Sequence, residues 1–432
     1  MPRLLELLPV PTGRAVLDLL PRLADALAGR GPTLLPVPVA DPRAAAELAR
    51  ALAAGHPLAA GEDDDADPTA FVVGTSGSTG TPKGTLLPAS ALLASARATR
   101  RFLLGDDPRP AHWLLALPAH HVAGLQVLQR SLVEGTTPTV LDTSTGFTAA
   151  RFARAAQTTP GPVRLVSLVP TQLQRVLADA DAAAALAGFD AVLIGGAAAA
   201  PALLDRAAAA GVRAVTAYGM SETCGGCLYD GRPLDGVVVG TDPSGRLTLA
   251  GPVVARGYRG RSDDPAFDVD EDGRRRFRTD DLGEFTAGGA DAAGAGRWRV
   301  LGRADDVLIS GGVKVAPAAV EATLSAQPGV ADVILTGVPD AEWGERLVAV
   351  VVPEATGHPD PAALRATVRA THGPAAAPRG IVLVDGLPLR GPGKPDRTAI
   401  RALARDALAA VPGPVDRPVT AVDPLVDLRA GR

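Results

Sequence analysis

The chain has 432 residues, 47% of them apolar, and a formal net charge of −4 at pH 7. That length can bury more than one core and sets an expectation of two or three domains. The near-balanced charge excludes a basic footprint for nucleic acid or a membrane surface, and no run of about 18 uncharged apolar residues predicts a bilayer span. The two cysteines, Cys224 and Cys227, cannot build a disulfide framework, so a reducing, cytoplasmic setting is expected. Their C-x-x-C spacing admits a redox pair, but Cys-Gly-Gly-Cys has no helix-forming continuation and local packing is favoured. The opening stretch is broken by Glu6, Pro9 and Pro11 and makes a poor signal peptide. Abundant Ala, Gly and Pro with scarce Lys read as the codon bias of a GC-rich genome.

Residues 1–60 read as helical segments interrupted by proline, and GEDDDADP (61–68) as an acidic, polar connector. From Phe71 to about Tyr218, short apolar runs alternate with amphipathic ones. HWLLALP, TPTVLD, VRLVSLVP, DAVLIGG and RAVTAYG predict strands; AGLQVLQRSLVEG, TAARFARAAQ, TQLQRVLADA and PALLDRAAAAG predict helices. This alternation predicts parallel strands with crossover helices, an α/β sheet. From Gly236 to about Gly302, Gly- and Asp-rich turns between short strands predict a small antiparallel β subdomain. Beyond Arg303, strands DVILTGV, LVAVVVP and GIVLVDGL alternate with helices near 318–325, 361–370 and 397–408, predicting a separate α+β domain. The boundaries expected are therefore 1–302 for a large N-terminal α/β domain with mixed sheets, and 303–432 for a smaller C-terminal one. The tail after Pro412 is Pro-rich, with an end expected to be disordered.

The stretch FVVGTSGSTGTPKGTLLP starts at Phe71. A strand leading into glycines, hydroxyls and one lysine suits anionic oxygen: the main chain can turn tightly and present amides, and Lys83 adds charge. A solvent-exposed turn of small residues is the plainer reading. The pattern is not the Walker loop, because Gly84 follows the lysine where Ser or Thr is required.

Further segments follow in order: PAHHVAGL (118–125), LIGGAAA (193–199), YGMSET (218–223), FRTDDLG (277–283), GRADDVLISGGVKVAPAAVE (302–321) and PLRGPGKPDR (388–397). Together with the glycine-rich loop they resemble the signatures of the adenylate-forming, AMP-binding superfamily of acyl-CoA synthetases and peptide-synthetase adenylation domains. Each is weak alone; the series in this order is specific. The resemblance implies an α/β fold with a mobile C-terminal cap. It also implies an acid–thiol ligase with ATP and CoA as cosubstrates and Mg²⁺ as cofactor. A carboxylate attacks the α-phosphorus of ATP, pyrophosphate leaves, and a thiol then displaces AMP from the acyl-adenylate.

The same resemblance implies roles for single residues. Thr75, Ser76, Gly77, Ser78, Thr79, Gly80 and Lys83 would cradle the β- and γ-phosphates. Gly195, Gly196 and Ala197 would lie along the adenine, and Tyr218 with Gly219 would stack on it, a core tyrosine being the alternative. Glu222 would hold Mg²⁺. Ser221 and Thr223 would reach the α-phosphate or the acyl group. Asp281 would meet the ribose, with Arg303 nearby; the family's glycine before that aspartate is Asp280 here, which leaves the choice of carboxylate open. Lys394 would bridge the attacking carboxylate and the α-phosphate, although its motif begins Pro388-Leu389-Arg390 rather than with the usual Pro-Lys-Thr. His121 would line the acyl pocket, with local packing as the alternative. Asp305 would be the hinge, and Gly311 and Gly312 would line the pantetheine passage or form an ordinary turn.

SLVPTQLQRVL (167–177), YGMSETCGG and the compact N-terminal region resemble bacterial o-succinylbenzoate–CoA ligases of menaquinone biosynthesis. That acid carries two carboxylates, so a second anion needs donors, and Gln126, Thr171, Gln172 and Thr223 are candidates. Another acyl- or aryl-CoA synthetase, a carrier-loading adenylation enzyme or an inactive nucleotide-binding scaffold stays open. The expected partners are a small carboxylic acid, ATP and CoA, with no nucleic acid and no membrane span; a homodimer stays open.

Overall fold

The computed structural model describes residues 2–75, 82–287, 296–340, 342–354, 357, 359–390, 394–410 and 425–429, with the backbone alone at 390, 394 and 425. The fold is mixed α/β with several sheets. The chain divides into two compact units. The larger comprises Met1–Ala199, Leu203–Thr279 and Phe285–Trp298; the smaller comprises Ala200–Ala202, Asp280–Glu284 and Arg299–Arg432.

In the larger unit, the first sheet runs in the order Leu5–Val10, Thr33–Pro38, Thr69–Thr75, Lys83–Pro88, Gly257–Tyr258. Its first three strands are parallel and the last two pairings antiparallel. The expectation of helices alone over residues 1–60 is thus corrected: two strands alternate with the helices Leu20–Leu27 and Pro42–Ala51. The prolines misled because Pro9, Pro36 and Pro38 sit inside strands. Thr33–Pro38 is fully buried, and it registers with Thr69–Thr75 only at Leu34–Phe71. A residue without an N–H therefore breaks no ladder bond on that side.

The acidic connector also differs from its reading. Glu62 is 1% exposed and accepts from the Gly260 amide at 2.5 Å, the Ala59 amide at 2.7 Å and the Arg259 guanidinium. Asp63 pairs with Arg3 at 3.0 Å, and Asp67 pairs with Arg275 at 3.1 Å. Glu62, Asp63 and Asp67 thus act as staples, while Asp64 and Asp65 stay in solvent.

The second sheet is ordered Arg232–Pro233, Gly225–Tyr229, Ala214–Met220, Ala191–Gly195, Val163–Leu168, Ala111–Leu115, Thr139–Val140. The five strands from Ala214–Met220 onward are parallel, as their apolar runs between helices predict. Two of the helices begin where a side chain takes an unpaired amide: Thr148 accepts from Arg151 at 3.3 Å and Asp179 from Ala182 at 2.9 Å. One large apolar core includes Phe71, Leu92, Trp113, Leu125 and Tyr229. A second gathers Phe152, Leu173, Leu186 and Phe189. Val238–Thr241, Arg246–Ala250, Phe267–Val269 and Arg275–Thr286 form the expected antiparallel sheet, and Arg297–Arg303 pairs with Arg275–Thr286.

The smaller unit has a sheet ordered Val313–Val315, Leu308–Ser310, Gly344–Pro353, Gly380–Leu383, Leu425–Asp427, with Val330–Asp340 antiparallel to Gly344–Pro353. One apolar cluster includes Val320, Leu324, Leu364 and Val368, from the helices Pro317–Ser325 and Pro361–His372; another includes Ile400, Ala404 and Ala407, from Arg397–Ala409. Leu425–Asp427 pairs parallel with Gly380–Leu383, so part of the Pro-rich tail is ordered strand.

Candidate functional site

Thr75 and Lys83 face each other across the ends of two antiparallel strands, and the Thr75 hydroxyl donates to the Lys83 carbonyl at 3.3 Å. Ser76, Gly77, Ser78, Thr79 and Gly80, between them in the sequence, lie outside the described residues. Lys83 Nζ lies 4.8 Å from the centroid of the Tyr258 ring. The Tyr258 hydroxyl donates to Glu222 Oε1 at 2.6 Å, with Glu222 9% exposed. Three residues far apart in the chain thus join a cation, a phenol and a carboxylate at the mouth of the glycine-rich turn. Tyr258 escaped sequence reasoning; its two-residue strand, registering Tyr258 with Thr85, gives almost no periodic signal.

Glu222 sits in the single 3₁₀ turn Ser221–Thr223, after the strand Ala214–Met220 that carries Tyr218. Tyr218 is half-buried and packs on the large core. Gly219 tolerates no side chain, since a Cβ would lie 2.0 Å from the Gly225 carbonyl oxygen. Thr223 is fully buried, and its hydroxyl is 2.7 Å from the Gly225 carbonyl and 3.1 Å from the Met220 amide. That hydroxyl closes the turn that presents Glu222. Ser221 is buried beside it, and Cys224 follows with a left-handed φ of 52°. Both cysteines are fully buried, and burial pushes the Cys224 thiol far above its ordinary pKa, so it is inert as a nucleophile. Gly195 ends its strand and Gly196 and Ala197 bend away, Gly196 with a φ of 82°.

A single carboxylate suits Mg²⁺, which takes one or two protein carboxylates together with substrate phosphate oxygens. Among the described residues no group of three or more His, Cys, Asp or Glu could hold a metal, so these residues offer no self-contained cage.

His121 precedes the helix Val122–Val133 and its ring lies 4.2 Å from that of His120. A cavity of about 230 Å³ lies at the carboxyl ends of strands from both large sheets, lined by Val10, Thr12, Leu117, His120 and Leu141 among others. His120, rather than His121, faces it; burial holds that imidazole below its ordinary pKa, against the pull of Asp41.

Three of the four candidate donors for a second anion, Gln126, Gln172 and Thr223, are already engaged. Gln126 donates to the Cys224 carbonyl; Gln172 donates to the Ala116 carbonyl at 3.0 Å and accepts from the Val169 amide at 3.1 Å. Thr171, beside it in the same helix, makes no hydrogen bond with its hydroxyl among those described. Arg130, which sequence reasoning passed over, is 5% exposed with no carboxylate partner among the described residues. It donates to Thr99 at 3.2 Å and Tyr229 at 3.3 Å, and its guanidinium lies 5.0 Å from the Trp113 ring centroid. Its Nε, both amide atoms of Gln129 and the Ser131 hydroxyl are buried without partners. Glu134, across a water-sized cavity, is taken by Arg100 at 2.6 Å.

In the smaller unit, Arg303 is paired with Asp305 at 2.9 Å and Asp280 at 3.3 Å. Burial pulls the Arg303 pKa down, but Asp305, Asp281 and Asp280 together hold it above its ordinary value. Asp280 is exposed and Asp281 half-buried on successive positions of one strand, so they point to opposite faces. Gly311 and Gly312 form the turn between Leu308–Ser310 and Val313–Val315, with φ of 58° and 78°. Lys394 registers with Arg390 in a short hairpin. Asp396 caps the next helix at the Ala399 amide, 3.1 Å, and Arg397 ties Glu321 at 3.1 Å to Asp306 at 3.2 Å.

A family model described as AMP-binding enzyme matches residues 22–259, and one described as AMP-binding enzyme C-terminal domain matches residues 319–394. The chain belongs to the AMP-binding enzyme family. Among its relatives, the probable 2-succinylbenzoate–CoA ligase of Mycobacterium tuberculosis is 44% identical over 402 residues, covering 92% of this chain and 98% of that one. The 2-succinylbenzoate–CoA ligase of Geobacillus kaustophilus is 32% identical, over 76% of this chain and 68% of that one. The AMP complex of O-succinylbenzoate coenzyme A synthetase from Bacillus subtilis shares the fold of this AMP-binding enzyme. Its TM-score is 0.70 at 22% identity, over 92% of this chain and 88% of that one. No helix among the described residues is long and apolar enough to cross a membrane.

Proposed function

We propose that this AMP-binding enzyme is a 2-succinylbenzoate–CoA ligase. The observation that carries the substrate is the 44% identity to a probable ligase of that name across nearly the full length of both chains. A carboxylate oxygen of the acid attacks the α-phosphorus of ATP and pyrophosphate leaves. The sulfur of CoA then attacks the acyl carbon and AMP leaves with the bridging oxygen. Chemistry at phosphorus needs charge neutralised more than it needs a covalent helper. Lys83 with the glycine-rich turn from Thr75 holds the β- and γ-phosphates. Tyr218, Gly195 and Gly196 bind adenine, and Asp281 with Arg303 serves the ribose. Glu222 would hold Mg²⁺, which would neutralise phosphate charge. Lys394 supplies the cation for adenylation, and Asp305 is the hinge.

A panel assay tests this reading. ATP- and CoA-dependent thioester formation is expected to be far faster with 2-succinylbenzoate than with benzoate, cinnamate or fatty acids. A fatty acid or cinnamate that wins the panel removes the proposed substrate.

A further inference from the structure

Tyr258 lies outside the motifs that place the other site residues, yet its side chain touches two of them. It is 3% exposed. The Phe267 ring meets it edge-on, with centroids 5.0 Å apart and an interplanar angle of 85°. Its backbone is fixed by pairing with Thr85, two residues beyond Lys83. From that seat the hydroxyl donates to Glu222 Oε1 at 2.6 Å, and the ring face lies 4.8 Å from Lys83 Nζ. Glu222 is held from its other end as well, its main-chain carbonyl accepting from the Ala255 amide at 2.8 Å.

We propose that Tyr258 is a positioning residue with two functions: its hydroxyl fixes the Glu222 carboxylate for Mg²⁺, and its ring seats Lys83 for the triphosphate. The inference rests on the roles given above to Glu222 and Lys83. A hydrogen bond from a neutral phenol to a carboxylate is charge-assisted, and in a site nearly closed to water it sets one orientation of the carboxylate plane. The phenol also shares the carboxylate's charge without neutralising it, so Glu222 stays a competent ligand for a hard cation. The cation–π contact aligns a long, flexible ammonium side chain before substrate arrives, which reduces the ordering left to do on binding.

The two functions separate experimentally in the full chain. ATP binding is followed by calorimetry across a Mg²⁺ titration and again in EDTA, with thermal unfolding as a control. Tyr258→Phe keeps the ring and loses the hydroxyl. It is expected to raise the Mg²⁺ concentration for half-maximal ATP affinity by about 10-fold, the scale of one hydrogen bond to a charged group. ATP affinity in EDTA is expected to stay at the wild-type value. Tyr258→Leu loses the ring too and is expected to weaken ATP binding in EDTA as well. In a Glu222→Gln background, Tyr258→Phe is expected to shift the Mg²⁺ midpoint no further. A wild-type Mg²⁺ midpoint in Tyr258→Phe overturns the proposal, as does a loss in EDTA equal to that of Tyr258→Leu. Absence of Mg²⁺-dependent ATP binding in the unsubstituted protein overturns instead the nucleotide reading beneath it.

Discussion

Only three of the 43 basic residues are lysines, at positions 83, 314 and 394. In a chain that uses arginine almost everywhere else, the ammonium at Lys83 has a local reason: a compact point charge fits over the Tyr258 ring, where a planar guanidinium would stack differently. Single residues were legible when a motif fixed both type and offset. Glu222 was nominated that way, whereas Tyr258 and Arg130 have partners that adjacency along the chain does not reveal. Asp332 is a further case that burial alone exposes. Desolvation raises its pKa to about 6, opposed by the Val333 amide and helped by Glu321. The folded state therefore holds this proton more tightly than the unfolded chain. The stability it contributes is full at low pH and is lost as pH rises from about 4 to about 6, leaving a buried carboxylate as a cost above that. Asp332→Asn should be more stable than wild type at pH 7 by up to about 3 kcal/mol. Urea unfolding at pH 5 and pH 7 checks this: the gap should widen by roughly 1–2 kcal/mol between them. A gap independent of pH would reject the assignment.

At the scale of elements, the parallel strands and their helices were readable because burial on both faces produces short apolar runs, while helices carry a 3.6-residue stripe. The first 60 residues were not, because proline reads as a breaker until the sheet shows which N–H groups it never needed. The segment 61–68 failed for a related reason. Acidic residues predict solvent unless arginines from elsewhere meet them, and here Arg259, Arg275 and Arg256 arrive from about 200 positions downstream. Glu62 is the test of that staple. Glu62→Gln leaves the buried Arg259 guanidinium without its countercharge and should destabilise the larger unit by roughly 3 kcal/mol. Chemical denaturation measures the loss; a change under about 0.5 kcal/mol, typical of surface substitutions, would mean that the pair is dispensable.

Across the whole molecule, the proposed roles fall on residues of both compact units: Lys83 and Glu222 in the larger, Asp281, Arg303 and Lys394 in the smaller. If Lys394 serves adenylation alone, Lys394→Ala should lower ATP–pyrophosphate exchange by at least about 10²-fold, as loss of a charge-stabilising donor does. CoA transfer from supplied acyl-adenylate should remain near wild type, and equal loss of both half-reactions would count against the assignment. The amino-acid order alone determined the family and the α/β class, and it nominated the groups proposed to react. Phosphate chemistry needs certain residue types at fixed offsets, and those offsets survive as text. Tertiary structure decided which carboxylates are staples and that a tyrosine stands between Lys83 and Glu222. It also showed that Arg130 is buried without a paired carboxylate among the described residues. Such facts depend on distances between segments far apart along the chain, and burial and pairing exist only once those segments have packed.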